Sequence, residues 1–419
     1  MGNQMNSTPT DEAMNLLNEA SRRFPDAISL MAGRPPQWHL DASETGRWLR
    51  DFVEQSATTS DDAQRHWTEL GQYSDTSGTI RNLAAEYLRR NGIPGATADA
   101  CMMTNGAQEA LAICLAGLTG PGRVAFTTDP SYVGFSGAAR VLGVPLESAP
   151  DELFLEQLRL RLCSGGPPIG CVYAIPDFSN PTARTMTLDE RMELLALAAE
   201  HDFTIIEDAA YRHYRFRGVS LPTLKALDGT GHVVYVESFA KTVLPGLRLA
   251  VMMADRRGAS GMTLADRLSW IKSYLSVASS PLTQAMLGGL LSSSDYRLDR
   301  FIEPRRATVQ RNCEAMCAAL EREFGHLRAS GVDWRRPDGG FFLTMALPFP
   351  FDEARFMECA QEYRVLVMPM RLFSSSGRCD RQIRLAFSNA TPAAIDEGVA
   401  RLARYVAGRC RSASTKETA

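Results

Sequence analysis

The sequence predicts an α/β fold, with a mostly parallel sheet covered by helices and a smaller α+β unit after it. Short runs rich in β-branched residues alternate with longer helical patterns through the middle of the chain, which is how a parallel, helix-covered sheet reads. After about Tyr296 that alternation stops and a long helical stretch leads into segments of different texture. A chain of 419 residues is also too long for one compact core, so two units are the expectation.

The strand candidates are GRVAFTTDP, GCVYAIPD, DFTIIEDAAY, GHVVYVESF and RLAVMMAD. Between them lie the helical patterns GAQEALAICLAGL, SYVGFSGAARVLG and TLDERMELLALAAEH. The last opens on Thr187 with Glu190 three residues on, a pair that can satisfy two orphan amides reciprocally as a capping box. In the second unit a helix over 300–324 precedes GGFFLTMALP, FDEARFMECAQEY, VLVMPM, QIRLAFS and a terminal helix. Residues 164–170 (SGGPPIG) read as a loop, and the chain from Ser412 onward reads as a frayed end.

Composition narrows the function. Hydrophobic residues make up 45% and charged residues 22%, ordinary for a folded soluble protein. A net charge of -3 supplies no general positive field for a nucleic-acid backbone or an anionic membrane surface, so a small-molecule partner is favoured. The nine cysteines are scattered without a CxxC pair, and no histidine lies close to Cys313 and Cys317. No metal site or disulfide framework is expected; the reading is reduced thiols in a cytoplasmic protein. The opening MGNQMNSTPTDE lacks the basic and apolar regions of a signal peptide, and no apolar run approaches membrane-spanning length.

Several strand candidates end in a polar residue or a turn, and in open α/β sheets ligands bind beyond the carboxyl ends of the strands. Lysine occurs only at Lys225, Lys241, Lys272 and Lys416, which limits any amine chemistry to four candidates. Lys241 follows such a strand end, in Ser238-Phe-Ala-Lys241-Thr-Val-Leu-Pro-Gly-Leu-Arg248. A lysine that forms an imine needs a partly neutral amine, which burial beside other cations provides. Ser238 and Arg248 can reach a phosphate from the same turn, the arginine bidentately. The plain alternative is a solvated lysine beside a Pro-Gly turn.

Asp208 closes the strand FTIIED, where a carboxylate can pair with the pyridine nitrogen of pyridoxal-5'-phosphate (PLP) and keep the ring an electron sink. It can equally cap the turn that follows. Tyr211, three residues on, can hydrogen-bond the ring's phenolic oxygen. The Asn180-Pro181 step is either a means of aiming an amide at a ligand or a simple turn. Gly106 leads into a helix whose first amides, on Ala107 and Gln108, can hold a phosphate. Tyr132 offers a ring for stacking, or ordinary packing. Tyr73 lies in a loop rich in turn residues. Arg384 stands on an apolar strand, where its charge needs a carboxylate from the protein or from a substrate.

In this order and across most of the chain, these residues resemble the class I/II aminotransferase family, fold type I of the PLP-dependent enzymes. The resemblance implies that Lys241 holds the cofactor as a Schiff base and moves protons between substrate and cofactor carbons. It implies Asp208 at the pyridinium, Asn180 and Tyr211 at the phenolic oxygen, and Tyr132 against the ring. The phosphate falls to Ser238, Arg248, the Ala107 and Gln108 amides and, in a homodimer, Tyr73 of the neighbouring copy. Arg384 clamps the substrate carboxylate, helped by Asn180 and the Gly33 loop. It also implies an N-terminal arm and substrate loop over 1–45 that packs with the small domain, a large PLP-binding domain over 46–295 and a small C-terminal domain over 296–419. Ala107 stands where relatives often have Ser or Thr, Ala183 where glycine is usual, and Pro369-Met370 where Pro-Gly is common.

The leading expectation is a PLP-dependent aminotransferase for a small amino acid, with an amino acid and a keto acid as its partners. The same scaffold supports a lyase or deaminase acting on a specialised-metabolite amino acid. A third reading is a PLP-sensing regulator. The substrate-loop candidate begins near Met31, which leaves no room before it for a DNA-binding domain, and the charge is acidic.

Overall fold

The computed structural model describes residues 19–37 and 41–417; the opening MGNQMNSTPTDE and other parts of the 1–45 arm lie outside them. The strands, in chain order, are β1 (Ile28–Ser29), β2 (Cys101–Thr104), β3 (Val124–Asp129), β4 (Leu146–Pro150), β5 (Ile169–Ala174), β6 (Thr204–Asp208), β7 (Val233–Ser238), β8 (Ala250–Met253), β9 (Asp333–Trp334), β10 (Phe342–Ala346), β11 (Val365–Leu366), β12 (Met368–Pro369) and β13 (Gln382–Ala386). Seven of them form one sheet in the order β2-β8-β7-β6-β5-β3-β4. The run from β7 to β4 is parallel, and β8 is antiparallel to both β7 and β2.

The central strands β5, β6 and β7 are buried at every position. This is the favoured state for Val- and Ile-rich segments covered by helices on both faces, each such side chain contributing about 1.5–3 kcal/mol when buried. The helix Leu188–His201 starts at the expected capping box, Thr187 accepting from the Glu190 amide and Glu190 from the Thr187 amide. A second capping box, Thr263 with Asp266, opens the helix Leu264–Leu275.

After the helix Asp299–Phe324 comes a four-stranded antiparallel sheet in the order β12-β13-β10-β9. The N-terminal segment joins this later unit: β1 pairs in parallel with β11, and the Leu30 carbonyl accepts from the Ala386 amide at 2.7 Å. The terminal helix Pro392–Glu417 continues past Ser412, where fraying was expected. Once a helix is nucleated, each added residue costs little, and the terminal Ala, Lys and Glu are good helix formers. Among the described residues no helix is long and apolar enough to cross a membrane.

Candidate active site

Because β3, β5, β6 and β7 run parallel, their carboxyl ends lie along one edge of the sheet. That edge carries Asp208 at the end of β6, Ser238 at the end of β7, and Lys241 in the short helix Phe239–Thr242 that Ser238 caps. Arg384 comes from β13 of the other sheet, and residues 31–36 run between the two. A cavity of about 270 Å³ gathers Gly33, Ala107, Gln108, Tyr132, Asn180, Asp208, Tyr211, Ser238, Lys241, Arg248 and Arg384. Of the sequence candidates, Gly106 lies just behind this wall, and Tyr73, 91% exposed, lies outside the cavity of its own chain.

Lys241 Nζ donates to the Gly33 carbonyl at 3.1 Å, and the Tyr214 hydroxyl donates to the Lys241 carbonyl at 2.7 Å. Burial lowers the Lys241 amine to about 8; Asp208 opposes that drop, while Arg384, Arg248 and Arg34 add to it. Asp208 is buried and spends both oxygens inside the protein: Oδ2 accepts from the Tyr173 hydroxyl at 2.8 Å and Oδ1 from the Ala210 amide at 3.1 Å. It therefore caps the following turn, as the plain reading required, while facing the cavity. Burial raises its carboxyl, against the lowering pull of Tyr173, Ala210 and Lys241.

At the phosphate end, the helix Ala107–Leu118 has no side-chain cap at Gly106, so its first amides are left for another acceptor. Gly106 has φ +82°, and a methyl group there would stand 2.5 Å from Arg248 Nη2. Only glycine lets the guanidinium close over this helix end. Ser238 Oγ accepts from the Ala240 amide at 3.3 Å. Tyr132 donates to Gln108 Oε1 at 3.3 Å, and burial pushes its hydroxyl up to about 12.

Arg384 is 2% exposed and lies between aromatic rings, 4.1 Å from the Phe342 centroid and 4.7 Å from that of Phe373. Nη1 donates to Asn180 Oδ1 at 2.6 Å and Nη2 to the Met31 carbonyl at 2.9 Å, while the buried Nε has no hydrogen-bond partner among the described residues. Burial lowers it to about 10, so the charge stays on at neutral pH. With Oδ1 of Asn180 taken by Arg384, its amide nitrogen is the end left to donate. Gly33 is required by the ring below it: a methyl group there would stand 2.1 Å from Phe342 Cζ.

Three neighbours escaped the sequence reading. Tyr173, the partner of Asp208, looks like a core tyrosine in an apolar strand; Phe342 sits in an apolar run; Arg34 is a loop arginine that reaches the cavity wall. Ala183, in place of the usual glycine, sits at φ +61°. That conformation costs a non-glycine residue about 1–2 kcal/mol.

These residues fit PLP. A buried amine of lowered basicity meets the need of an aldehyde, an enclosed carboxylate that of a ring nitrogen, and an uncapped helix end beside Arg248 and Ser238 that of a phosphate. The unpartnered Nε of Arg384 is a donor still awaiting an acceptor.

Residues 49–402 match the aminotransferase class I and II family. The chain is 36% identical to the (S)-3,5-dihydroxyphenylglycine transaminase of Amycolatopsis orientalis, covering 96% of this chain and 93% of that one. It superimposes on the Pyrococcus horikoshii kynurenine aminotransferase, solved in complex with PMP, with a TM-score of 0.79 and 26% identity over 97% of this chain and 96% of that one. The α-aminoadipate aminotransferase of Thermus thermophilus, complexed with N-(5'-phosphopyridoxyl)-L-leucine, gives a TM-score of 0.77 and 26% identity over 95% and 97% of the two chains.

Proposed function

The chain belongs to the class I and II aminotransferases, and from that premise we propose that its substrate is an aryl-bearing α-amino acid of the phenylglycine kind, worked on by Lys241. It is a PLP-dependent aminotransferase of fold type I acting on an amino acid. The name of the 36%-identical relative supports the aryl substrate, as do the apolar faces of Ile175 and Phe342 in the same cavity as Arg384. The observation that carries the reading is the juxtaposition of Lys241, Asp208 and Arg384 in one enclosed space.

Bound PLP supplies an electron sink for the substrate's α-carbon. Everything else falls to the chain. Arg384 would hold the α-carboxylate through its remaining N–H groups and so orient the substrate's α-carbon toward Lys241. Lys241, neutral in a large fraction near pH 8, would take the substrate's α-proton on Nζ and hold it for return. Asp208, steadied by Tyr173, keeps the ring nitrogen protonated. Asn180 and Tyr211 donate to the phenolic oxygen and Tyr132 covers one face. Ser238, Arg248 and the amides of Ala107 and Gln108 hold the phosphate.

Three further parts belong to this reading. The large PLP-binding domain spans 46–295 and the small one 296–419, with 1–45 as arm and substrate loop; the two separate sheets and the β1-β11 pairing support it. The enzyme is a homodimer in which Tyr73 of one copy reaches the phosphate of the other, supported by exposed apolar side chains at Tyr73, Trp270, Tyr274 and Val277. A cytoplasmic location is supported by the absence of any disulfide among the described cysteines.

Mixing the PLP-loaded enzyme with (S)-3,5-dihydroxyphenylglycine tests the reaction. Spectral conversion to the pyridoxamine form, with an aryl keto acid released, is the expected result. Ammonia or carbon dioxide set free without a keto-acid acceptor would instead identify a deaminase or lyase.

A further inference from the structure

Lys241 sits third in a helix of four residues, Phe239–Thr242, too short to satisfy its own last carbonyls. The Phe239 carbonyl is met from within the turn, by the Val243 amide at 2.9 Å. Those of Lys241 and Thr242 are met by side chains from elsewhere. The Tyr214 hydroxyl donates to the Lys241 carbonyl at 2.7 Å, and Arg305 Nη1 donates to the Thr242 carbonyl at 2.6 Å. Tyr214 is itself buried edge-on to Phe341, whose ring lies 5.8 Å from Lys241 Nζ.

Arg305 belongs to the helix Asp299–Phe324, which leads into the later unit. The buried face of that helix is apolar at Phe301, Ile302, Val309, Cys313 and Met316, and departs from that pattern at Arg305 and Asn312. Both polar side chains are spent on main chain beside a reactive group. Asn312 Nδ2 donates to the Phe387 carbonyl at 3.0 Å, one residue beyond the strand that carries Arg384. Arg305 does the same for the turn that carries Lys241. A buried guanidinium gives up hydration that one carbonyl does not restore, and a neutral donor would satisfy that carbonyl at lower cost. What the arginine adds is a charge-assisted bond, about twice as strong as a neutral one and suited to holding a turn still.

We propose that Arg305 is a positioning residue for the reaction: its grip on the Thr242 carbonyl, together with that of Tyr214 on the Lys241 carbonyl, fixes the turn from which Nζ reaches the Gly33 carbonyl. This rests on Lys241 as the cofactor lysine and adds a residue that touches neither substrate nor cofactor. A released turn lets the amine move toward water and regain hydration, so its basicity rises. Asp208 on β6, Arg384 on β13, Arg248 and Arg34 bear on the same amine, and the phenols of Tyr132 and Tyr211 line the cavity with it. Tyr214 is the titratable group that bears on Arg305. Variants of Arg305 retain all of these, so a shift in the amine reads the turn.

Pulse acetylation of the apoenzyme with acetic anhydride, quantified at Lys241 by peptide mass spectrometry from pH 6 to pH 11, reads the neutral amine without the cofactor. The unaltered enzyme is expected to label with a midpoint of about 8. Arg305→Met should raise that midpoint by about one unit, a tenfold slower labelling at pH 7, and Arg305→Lys should recover about half of the shift. Tyr214→Phe should move it in the same direction. Thermal unfolding of each variant is followed alongside. A midpoint unchanged in Arg305→Met, even with a lowered Tm, would show a merely structural arginine and overturn the proposal, as would an Arg305→Lys no nearer to the unaltered enzyme than Arg305→Met. If Arg305→Met does not fold, Arg305→Lys and Tyr214→Phe decide in its place: upward shifts support the positioning role and unchanged midpoints overturn it. A failure of the cofactor assignment shows separately, as borohydride trapping of PLP on another lysine.

Discussion

Of the four lysines, Lys225 is held by Asp228 at 3.0 Å and Asp255 at 2.6 Å, Lys272 is buried within a helix, and Lys416 lies near the end of the terminal helix. Lys241 alone combines a place at a strand end with a basicity lowered to about 8. The sign of its pH dependence follows. The reactive form is the neutral amine, so capture of PLP by the apoenzyme should speed up about tenfold from pH 6 to pH 7 and level off above about 8. Stopped-flow absorbance checks this, and a rate still climbing steeply beyond pH 9 would show an unshifted lysine. Arg384→Ala should raise KM for the amino acid by about a hundredfold, the worth of a buried charge-assisted contact, with a far smaller change in PLP affinity by equilibrium dialysis. Equal losses would move Arg384 from substrate to cofactor. Lys241 and Asp208 were legible because each sits next in sequence to the strand that places it. Tyr173 was not, since its hydroxyl meets Asp208 across 35 positions and nothing in IGCVYA marks one buried tyrosine as a donor to a site.

At the scale of elements, the apolar strands and the capping-box helix read directly from local pattern. β2 (CMMT) and β4 (LESAP) did not, because neither carries a β-branched run and both owe their extended form to neighbours in the sheet. The reversal of β8 was also hidden, since strand direction is set by pairing between distant segments. The uncapped helix Ala107–Leu118 could be read from the glycine turn, but the guanidinium seated over that turn could not. Gly106→Ala should therefore weaken PLP binding by at least about tenfold, because the methyl group would displace Arg248 and force an alanine into φ +82°. Equilibrium dialysis measures the affinity; an unchanged value would mean that the phosphate lies elsewhere.

For the whole molecule, the site is the meeting of two sheets: one brings the amine, the carboxylate and the helix end, the other brings Arg384, and the loop from Met31 to Pro36 crosses between them. A two-unit organisation was legible from the change of texture near Tyr296. That the N-terminal arm packs against the later unit followed from the resemblance; the strand pairing of residues 28–30 that does it was not legible, because β1 is two residues long and its partner lies more than 300 positions away. The exposed Tyr73 and Tyr274 predict association: analytical ultracentrifugation should give twice the 46.0 kDa of one chain, and Tyr274→Asp should shift the enzyme toward monomer with loss of PLP affinity. The central claim is that Lys241 is the amine joined to the cofactor. Reducing the PLP-loaded enzyme with borohydride, digesting it and locating the phosphopyridoxyl group by mass spectrometry tests it most directly. The label is expected on the peptide containing Ser238 to Arg248, at Lys241; a label at Lys225 or Lys272 instead would overturn that assignment.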